Sequence, residues 1–437
     1  MELFCHKVTN TKSIPIFNLE LKILIRIFGG IYKNYHKMTS ILSDRIIQME
    51  ESATLAMAKK ARELKMQGID IISLSLGEPD FKTPKHIQEA AKAAIDEGKY
   101  FSYPPVAGYQ DLREAIAKKL RVENKIADAK AENIVVSTGA KHSIANVFMC
   151  LINEGDEVVI FSPYWVSYAE IIKLAGGVPV LIEGALENNF KATAAQLQDA
   201  ITEKTKAIIY SSPCNPTGSV FSKEELEAIA EVVRNREDLY VIADEIYELI
   251  NFTGKHASIA SFPGMFERTI TVNGFSKGYA MTGWRVGYIC APVFIAKACE
   301  KMQGQFTSGG TGIAQRAALA AISGDQIPSK EMEKAYLSRR DLVLGLIKEI
   351  PGFKTHIPEG AFYFFPDVSH FFGKSSEGFK VNSADDFCLY LLEKANVSLV
   401  TGEAFGAPNC VRISYAASEN ELIEAMKRIK EACAKLA

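Results

Sequence analysis

The sequence has no stretch of uncharged apolar residues long enough to cross a bilayer, which takes about 20 in a row. A membrane-spanning chain is therefore not expected. It has almost no net charge either: 50 Lys and Arg stand against 52 Asp and Glu, for a formal −2. That balance supplies neither a basic surface for nucleic acid nor an acidic tail. The eight cysteines include no C-x-x-C pair, and no Cys/His group has the spacing of zinc ligands, so no metal is expected. Cys150 and Cys290 lie inside apolar runs, where a reduced thiol serves as a small hydrophobe, and a cytoplasmic setting is expected. No G-x-G-x-x-G follows a first strand, and Gly309-Gly310-Thr311-Gly312 has no strand before it, which speaks against a nicotinamide enzyme. Internal repeats and low-complexity segments are missing. What is left, 48% apolar and 23% charged residues, is a globular composition able to bury a large core.

Residues 1–37 stand apart. They carry six Lys or Arg against Glu2 and Glu20, and their most apolar part is broken by Glu20, Lys22 and Arg26. A secretory leader needs an uninterrupted apolar core, and a mitochondrial presequence would be poorer in acid and richer in serine. We read the segment as an extension outside the fold, with Met38 as a second candidate start.

Apolar residues at helical spacing (Leu55, Ala58, Ala61, Leu64) predict a helix from Ser52 to Gly68. A short strand at 71–76 runs into the turn Gly77-Glu-Pro-Asp80, and helices are predicted at 85–97 and 110–123. Seven apolar runs follow, at 134–137, 157–162, 178–183, 207–212, 240–245, 269–276 and 286–292, with helical patterns near 141–153, 164–175 and 222–235. Short apolar strands joined by helical crossovers imply an α/β fold, with a mainly parallel sheet covered on both faces. A long helix at 328–349 leads into a smaller α+β tail, with strands expected at 361–368, 397–402 and 410–416 and a last helix at 418–435. The domains expected are an arm and first part of a small domain (38–85), a large domain (86–327) and a small C-terminal domain (328–437).

The apolar runs end in chemistry, at the strand ends where open α/β sheets bind ligands. Run 207–212 leads into Asn215-Pro-Thr-Gly218, run 240–245 into Asp244-Glu-Ile-Tyr247, and run 269–276 into Ser276-Lys277. Each alone has a plain structural explanation: a turn, a helix cap, a solvated lysine. Together they supply what pyridoxal phosphate needs. Lys277 is an amine to condense with its aldehyde, Asp244 a carboxylate to keep its ring nitrogen protonated, and Tyr247 and Asn215 are donors to its phenolic oxygen. Arg285 can reach its phosphate as a planar fork. The turn Thr138-Gly139-Ala140-Lys141 opens a helix whose first N–H groups and dipole suit phosphate. Trp165, just after run 157–162, can stack on a ring.

The block Ser276-Lys277-Gly-Tyr-Ala-Met281-Thr-Gly-Trp-Arg285-Val-Gly287 resembles the lysine signature of class I pyridoxal-phosphate-dependent aminotransferases. Asn215-Pro-Thr-Gly218, Asp244-Glu-Ile-Tyr247 and Arg412-Ile-Ser-Tyr-Ala416 match its other blocks in order, and from about residue 40 onward the chain is most similar to bacterial subgroup Ib. The resemblance implies fold-type I, a homodimer, and ping-pong transfer of an amino group from L-aspartate to 2-oxoglutarate, yielding oxaloacetate and L-glutamate. It assigns Lys277 as the cofactor-bearing base with Ser276 beside it, and Arg412 as the bidentate partner of the substrate α-carboxylate. Gly77, Asn215 and Trp165 become further substrate contacts. Tyr103 becomes the tyrosine that crosses the dimer interface to the neighbour's phosphate. Lys141 is implied as the cation for the distal carboxylate. A lysine in a first helical turn also opposes the helix dipole and wants an anion. Other donors stay open: aromatic, alanine-type or broad substrates, Cβ elimination from cysteine conjugates, and prephenate. Against prephenate stands Glu50, in the block Met49-Glu-Glu-Ser52 where users of that substrate carry a basic residue. A ligand-sensing regulator of this fold would add a winged helix, for which residues 1–37 are too short.

Overall fold

A computed structural model describes residues 41–437, so the reading of residues 1–37 as an extension lies outside the described residues. The chain divides into two compact units, 1–50 and 51–437. In the first, the described residues hold one short helix, Asp44–Ile47. Everything below concerns the second unit.

Its first helix, α1 (Ala53–Met66), buries Ala58 and Ala61 and ends two residues before Gly68, as the helical spacing predicts. Seven strands then form one sheet: β1 (Ile134–Ser137), β2 (Glu157–Ser162), β3 (Val178–Glu183), β4 (Thr205–Ser211), β5 (Tyr240–Asp244), β6 (Thr269–Gly274) and β7 (Gly287–Cys290). Their order is β1-β7-β6-β5-β4-β2-β3. β7 runs antiparallel to both of its neighbours, and every other pairing is parallel. The inner strands are mainly apolar because both faces are covered. Val158, Ile160, Ile209 and Ile242 pack into one helical layer, while Val159, Phe161, Ile208 and Val241 pack into the other. β3 closes one edge with Pro179 and an exposed Glu183, residues that discourage further pairing.

Helix α2 (Ala140–Leu151) follows β1 directly, and the long helix α3 (Ile327–Lys348) leads into the C-terminal part. There the expected strands are much shorter than the apolar runs. Only Tyr363–Phe364, Val400–Thr401 and Val411–Ser414 form a small antiparallel sheet, and beyond Phe364 the Phe-rich run keeps only isolated bridges from Asp367 to Lys354 and Cys410. The strand expected at 71–76 reduces to Ile72–Ser73, which pairs with Val397–Ser398. That pairing stitches the segment before Gly77 into the C-terminal core, where Ile72 and Leu74 pack with Leu399, Val411 and Ile413. Helices Val293–Phe306, Gly312–Ser323 and Ala384–Lys394 go beyond the expected set. The second begins at the glycine-rich turn and buries Ala314, Ala317, Ala318 and Ala321, small residues that give little apolar contrast. Among the described residues, no helix is long and apolar enough to cross a membrane.

Candidate active site

Strands β4, β5 and β6 lie side by side and parallel, with Ser211 opposite Asp244 and Asp244 opposite Val272. The chain therefore leaves all three at one edge of the sheet, and a cavity of about 260 Å³ opens there. Its wall brings together Gly77, Ala140, Lys141, Trp165, Asn215, Asp244, Tyr247, Ser276, Lys277, Arg285 and Arg412. Gly139 lies just behind the wall. Its φ of +86° suits glycine, and a Cβ there would collide with the Arg285 guanidinium. Tyr103 is the exception: it is 93% exposed and does not line this cavity.

Lys277 donates from Nζ to the Gly77 carbonyl at 2.5 Å, and the ammonium lies 5.5 Å from the centre of the Tyr247 ring. Burial pulls its pKa down to about 8; Arg412 and Arg285 push the same way, and Glu78 and Asp244 oppose. Asp244 accepts the Tyr168 hydroxyl at 2.6 Å and the Ile246 amide at 3.2 Å. Burial lifts its pKa to about 6, although the Tyr168 bond works against that rise. Arg412 is 1% exposed, donating to Asn215 Oδ1 at 2.9 Å and to the Ser75 carbonyl at 2.6 Å. Its buried Nε has no partner. Arg285 donates to the Thr282 carbonyl at 2.9 Å beside the start of α2. Lys141 sits 4.9 Å from the Trp165 ring centre, with its pKa lowered by burial and by Arg285. Four cations and two carboxylates, Asp244 and Glu78, thus line one cavity. The surplus of positive charge suits anionic ligands.

Several residues of the site carry no signal in the sequence motifs. Tyr168 lies three residues after Trp165, one helical turn on, and that spacing could have marked it. Tyr363 lies in the Phe-rich run, where a tyrosine looks like core. Its hydroxyl is 2.7 Å from that of Tyr247. Glu78, Ser211 and Thr282 line the cavity as well, as do Ser52 and Thr54 from the start of α1.

The family model described as aminotransferase class I and II matches residues 69–429. The chain belongs to that family. An aspartate aminotransferase of Bacillus sp. (strain YM-2) is 45% identical over 394 residues, which is 90% of this chain and 99% of the relative. A bifunctional aspartate aminotransferase and glutamate/aspartate-prephenate aminotransferase of Petunia hybrida is 45% identical over 397 residues, covering 90% and 82%. Among solved structures, the Thermus thermophilus aspartate aminotransferase with maleate superposes with a TM-score of 0.84 at 41% identity, covering 90% of this chain and 99% of that one.

This aminotransferase has a wall whose chemistry fits pyridoxal phosphate. At the start of α2 the Arg285 guanidinium crowds Gly139, a position that lacks a side chain, as a phosphate cradle requires. Asp244 keeps its carboxylate buried with room for a cationic ring nitrogen to restore its charge, and Arg412 keeps a buried donor unsatisfied.

Proposed function

We propose that the enzyme transfers the amino group of L-aspartate to 2-oxoglutarate, with pyridoxal phosphate carried on Lys277. The observation that carries this reading is the convergence of Lys277, Asp244, Tyr247, Asn215 and Arg412 on one cavity. Ser276, Arg285 and the amides of Gly139, Ala140 and Lys141 hold the phosphate, Asp244 faces the ring nitrogen, and Trp165 covers the ring. When bound, the cofactor draws electrons from the substrate Cα, making its proton removable. Lys277 then moves that proton. A buried amine with a pKa near 8 exists partly as the free base at neutral pH, so it can accept a proton and return it. Arg412 binds the α-carboxylate through two parallel N–H donors and fixes Cα against Lys277. Tyr247 and Asn215 donate to the ring oxygen. Lys141 meets the distal carboxylate, a pairing in keeping with the maleate, a four-carbon dicarboxylate, of the Thermus structure.

Two lobes, 86–327 and 328–437 with the segment before 86, are part of this reading, as are a cytoplasmic setting and a homodimer. The dimer is supported by the large aromatic side chains left exposed on one loop, Phe101 at 68% and Tyr103 at 93%. Sedimentation at assay concentration tests it: a fully active monomer would remove Tyr103 from the site.

The test of the reaction is single-turnover mixing of the loaded enzyme with a panel of amino acids, followed by visible absorption. Aspartate and glutamate should react fastest, and borohydride should fix the cofactor on Lys277. An adduct mapped to another lysine overturns the assignment. Prephenate is the second reading, favoured by the name of the Petunia relative and opposed by Glu50. A prephenate arm in the same assay decides between them.

A further inference from the structure

Tyr363 and Tyr247 bring their hydroxyl groups within 2.7 Å, and both side chains are buried, at 0% and 2% exposure. They come from different sheets but pack in one hydrophobic core. Tyr247 follows the end of β5, whereas Tyr363 stands on the short strand paired with Val411–Ser414. The Tyr363 ring lies 4.5 Å from the Arg412 guanidinium, and its hydroxyl occupies the space that a side chain at Gly77 would need. One phenol therefore touches the arginine assigned to the substrate, the backbone that receives Lys277, and the phenol assigned to the cofactor.

A phenol has one proton to give. If Tyr247 directs its proton to the ring oxygen, the short contact leaves Tyr363 as the donor and Tyr247 as the acceptor. We propose that Tyr363 is a positioning residue, donating to Tyr247 so that the Tyr247 proton points at the cofactor oxygen. This rests on the function proposed above. A donor chain in a dry site polarises each member, so the second bond strengthens the first. The charged and titratable groups facing the pair are Arg412, Lys277, Glu78 and Asp244. Because Tyr363 shares the antiparallel sheet of Arg412, seating the substrate arginine and orienting the Tyr247 proton become one event.

Tyr363→Phe keeps the ring against Arg412 and removes only the hydroxyl. In the loaded enzyme, a weaker donor at the ring oxygen lets the nitrogen contributed by Lys277 hold its proton to higher pH. The midpoint of the visible-band pH titration should rise by roughly 0.2–0.6 unit, in line with a bond that loses about 10–30% of its strength. Tyr247→Phe should raise it further, and adding Tyr363→Phe to that background should change nothing more. An unchanged or lowered midpoint in Tyr363→Phe overturns the proposal. So does an equal shift in both backgrounds, which a purely structural role would give. Failure of pyridoxal phosphate to load onto wild-type Lys277 is a different result and overturns the underlying function instead.

Discussion

One short stretch, residues 244–248, has two faces with opposite electrostatics. Asp244 and Tyr247 face the cavity, where charges lack full partners. Glu245 and Glu248 face away, into a hydrogen-bonded network that leaves Glu245 Oε1 and His256 Nδ1 without partners among the described residues. Glu245 accepts from Asn124 at 3.0 Å and from His256 at 2.9 Å. Glu248 accepts from Asn124 at 2.7 Å and pairs with the Lys119 ammonium, both side chains being 7% exposed. Among the described residues, Glu245, Glu248 and His256 form a group with metal-ligand geometry, but Lys119 already supplies the cation. The pKa directions separate the two faces. Burial alone would raise Glu248, but Lys119 and His256 overcome it and its pKa falls. Burial would lower His256, and Glu245 reverses that too. In the cavity burial wins: Lys277 and Arg412 are pulled down and Asp244 is lifted. Paired charges hold the turn in shape, and unpaired charges wait for ligands.

The sharpest way to test this contrast is to remove one charge from each face. Lys277→Ala should lower transamination by orders of magnitude, at least the roughly 10²–10⁴ of a lost acid–base group. It should leave the melting temperature of the cofactor-free protein unchanged or higher, since a buried, incompletely paired cation disappears. Near-normal turnover, or a large loss of stability, would place Lys277 on the wrong face. Lys119→Met should do the reverse. It strands Glu248 in the interior and should lower unfolding stability by about 3–5 kcal/mol in urea titrations, with the order of amino-donor preference retained. A loss below about 1 kcal/mol would mean that the network carries little of the fold.

Lys141→Ala sharpens the picture within the cavity. If it meets the distal carboxylate, kcat/KM for aspartate and glutamate should fall about ten- to a hundredfold, the size of a charged hydrogen bond left unmade. Phenylalanine should be little affected, and equal losses would reject the assignment. The smallest effect is in the pH dependence of stability. The Glu248 contribution is present above the ordinary 4.5 and is lost as pH falls through its lower folded value. The His256 contribution is present below 6.5 and is lost as pH rises through its higher folded value. Asp244 runs against Glu248, because its folded value near 6 lies above the ordinary 3.8, so its contribution is lost as pH rises through 6. His256→Asn should therefore flatten the decline above pH 6.5 in urea titrations and leave the acid limb in place. An alkaline decline of the same steepness in that variant would remove His256 from the balance.

The sheet was legible because each of its strands is a local event. Runs 134–137, 157–162 and 178–183 match β1, β2 and β3 residue for residue. Strands of a sheet covered by helices announce themselves as short apolar runs bounded by turn signals. The helix Gly312–Ser323 was not legible, since nearly continuous apolar or small residues blur the helical period. In Val293–Phe306 the buried stripe Ile295, Ala296, Cys299 and Gln303 is weakly apolar, while Phe294 and Phe306 are exposed. The Phe-rich run at 361–368 reads as a long strand, but strand character needs a continuous partner, and the fold supplies a ladder for Tyr363–Phe364 and only isolated bridges at Asp367.

By itself the sequence determined which chemical groups stand at the strand ends, because Asn215, Asp244 and Lys277 each follow an apolar run within a few residues. Only the tertiary structure decided what each of them faces. Lys119 meets Glu248 across 129 positions, and Arg412 meets Asn215 across 197. The Tyr168 bond to Asp244 and the Tyr363 contact with Tyr247 depend on crossovers and on a small sheet that no local pattern encodes. Side-chain partners at such separations are set by the packing of whole layers, and a tyrosine in an apolar run looks the same in sequence whether its hydroxyl ends in a core or in an active site.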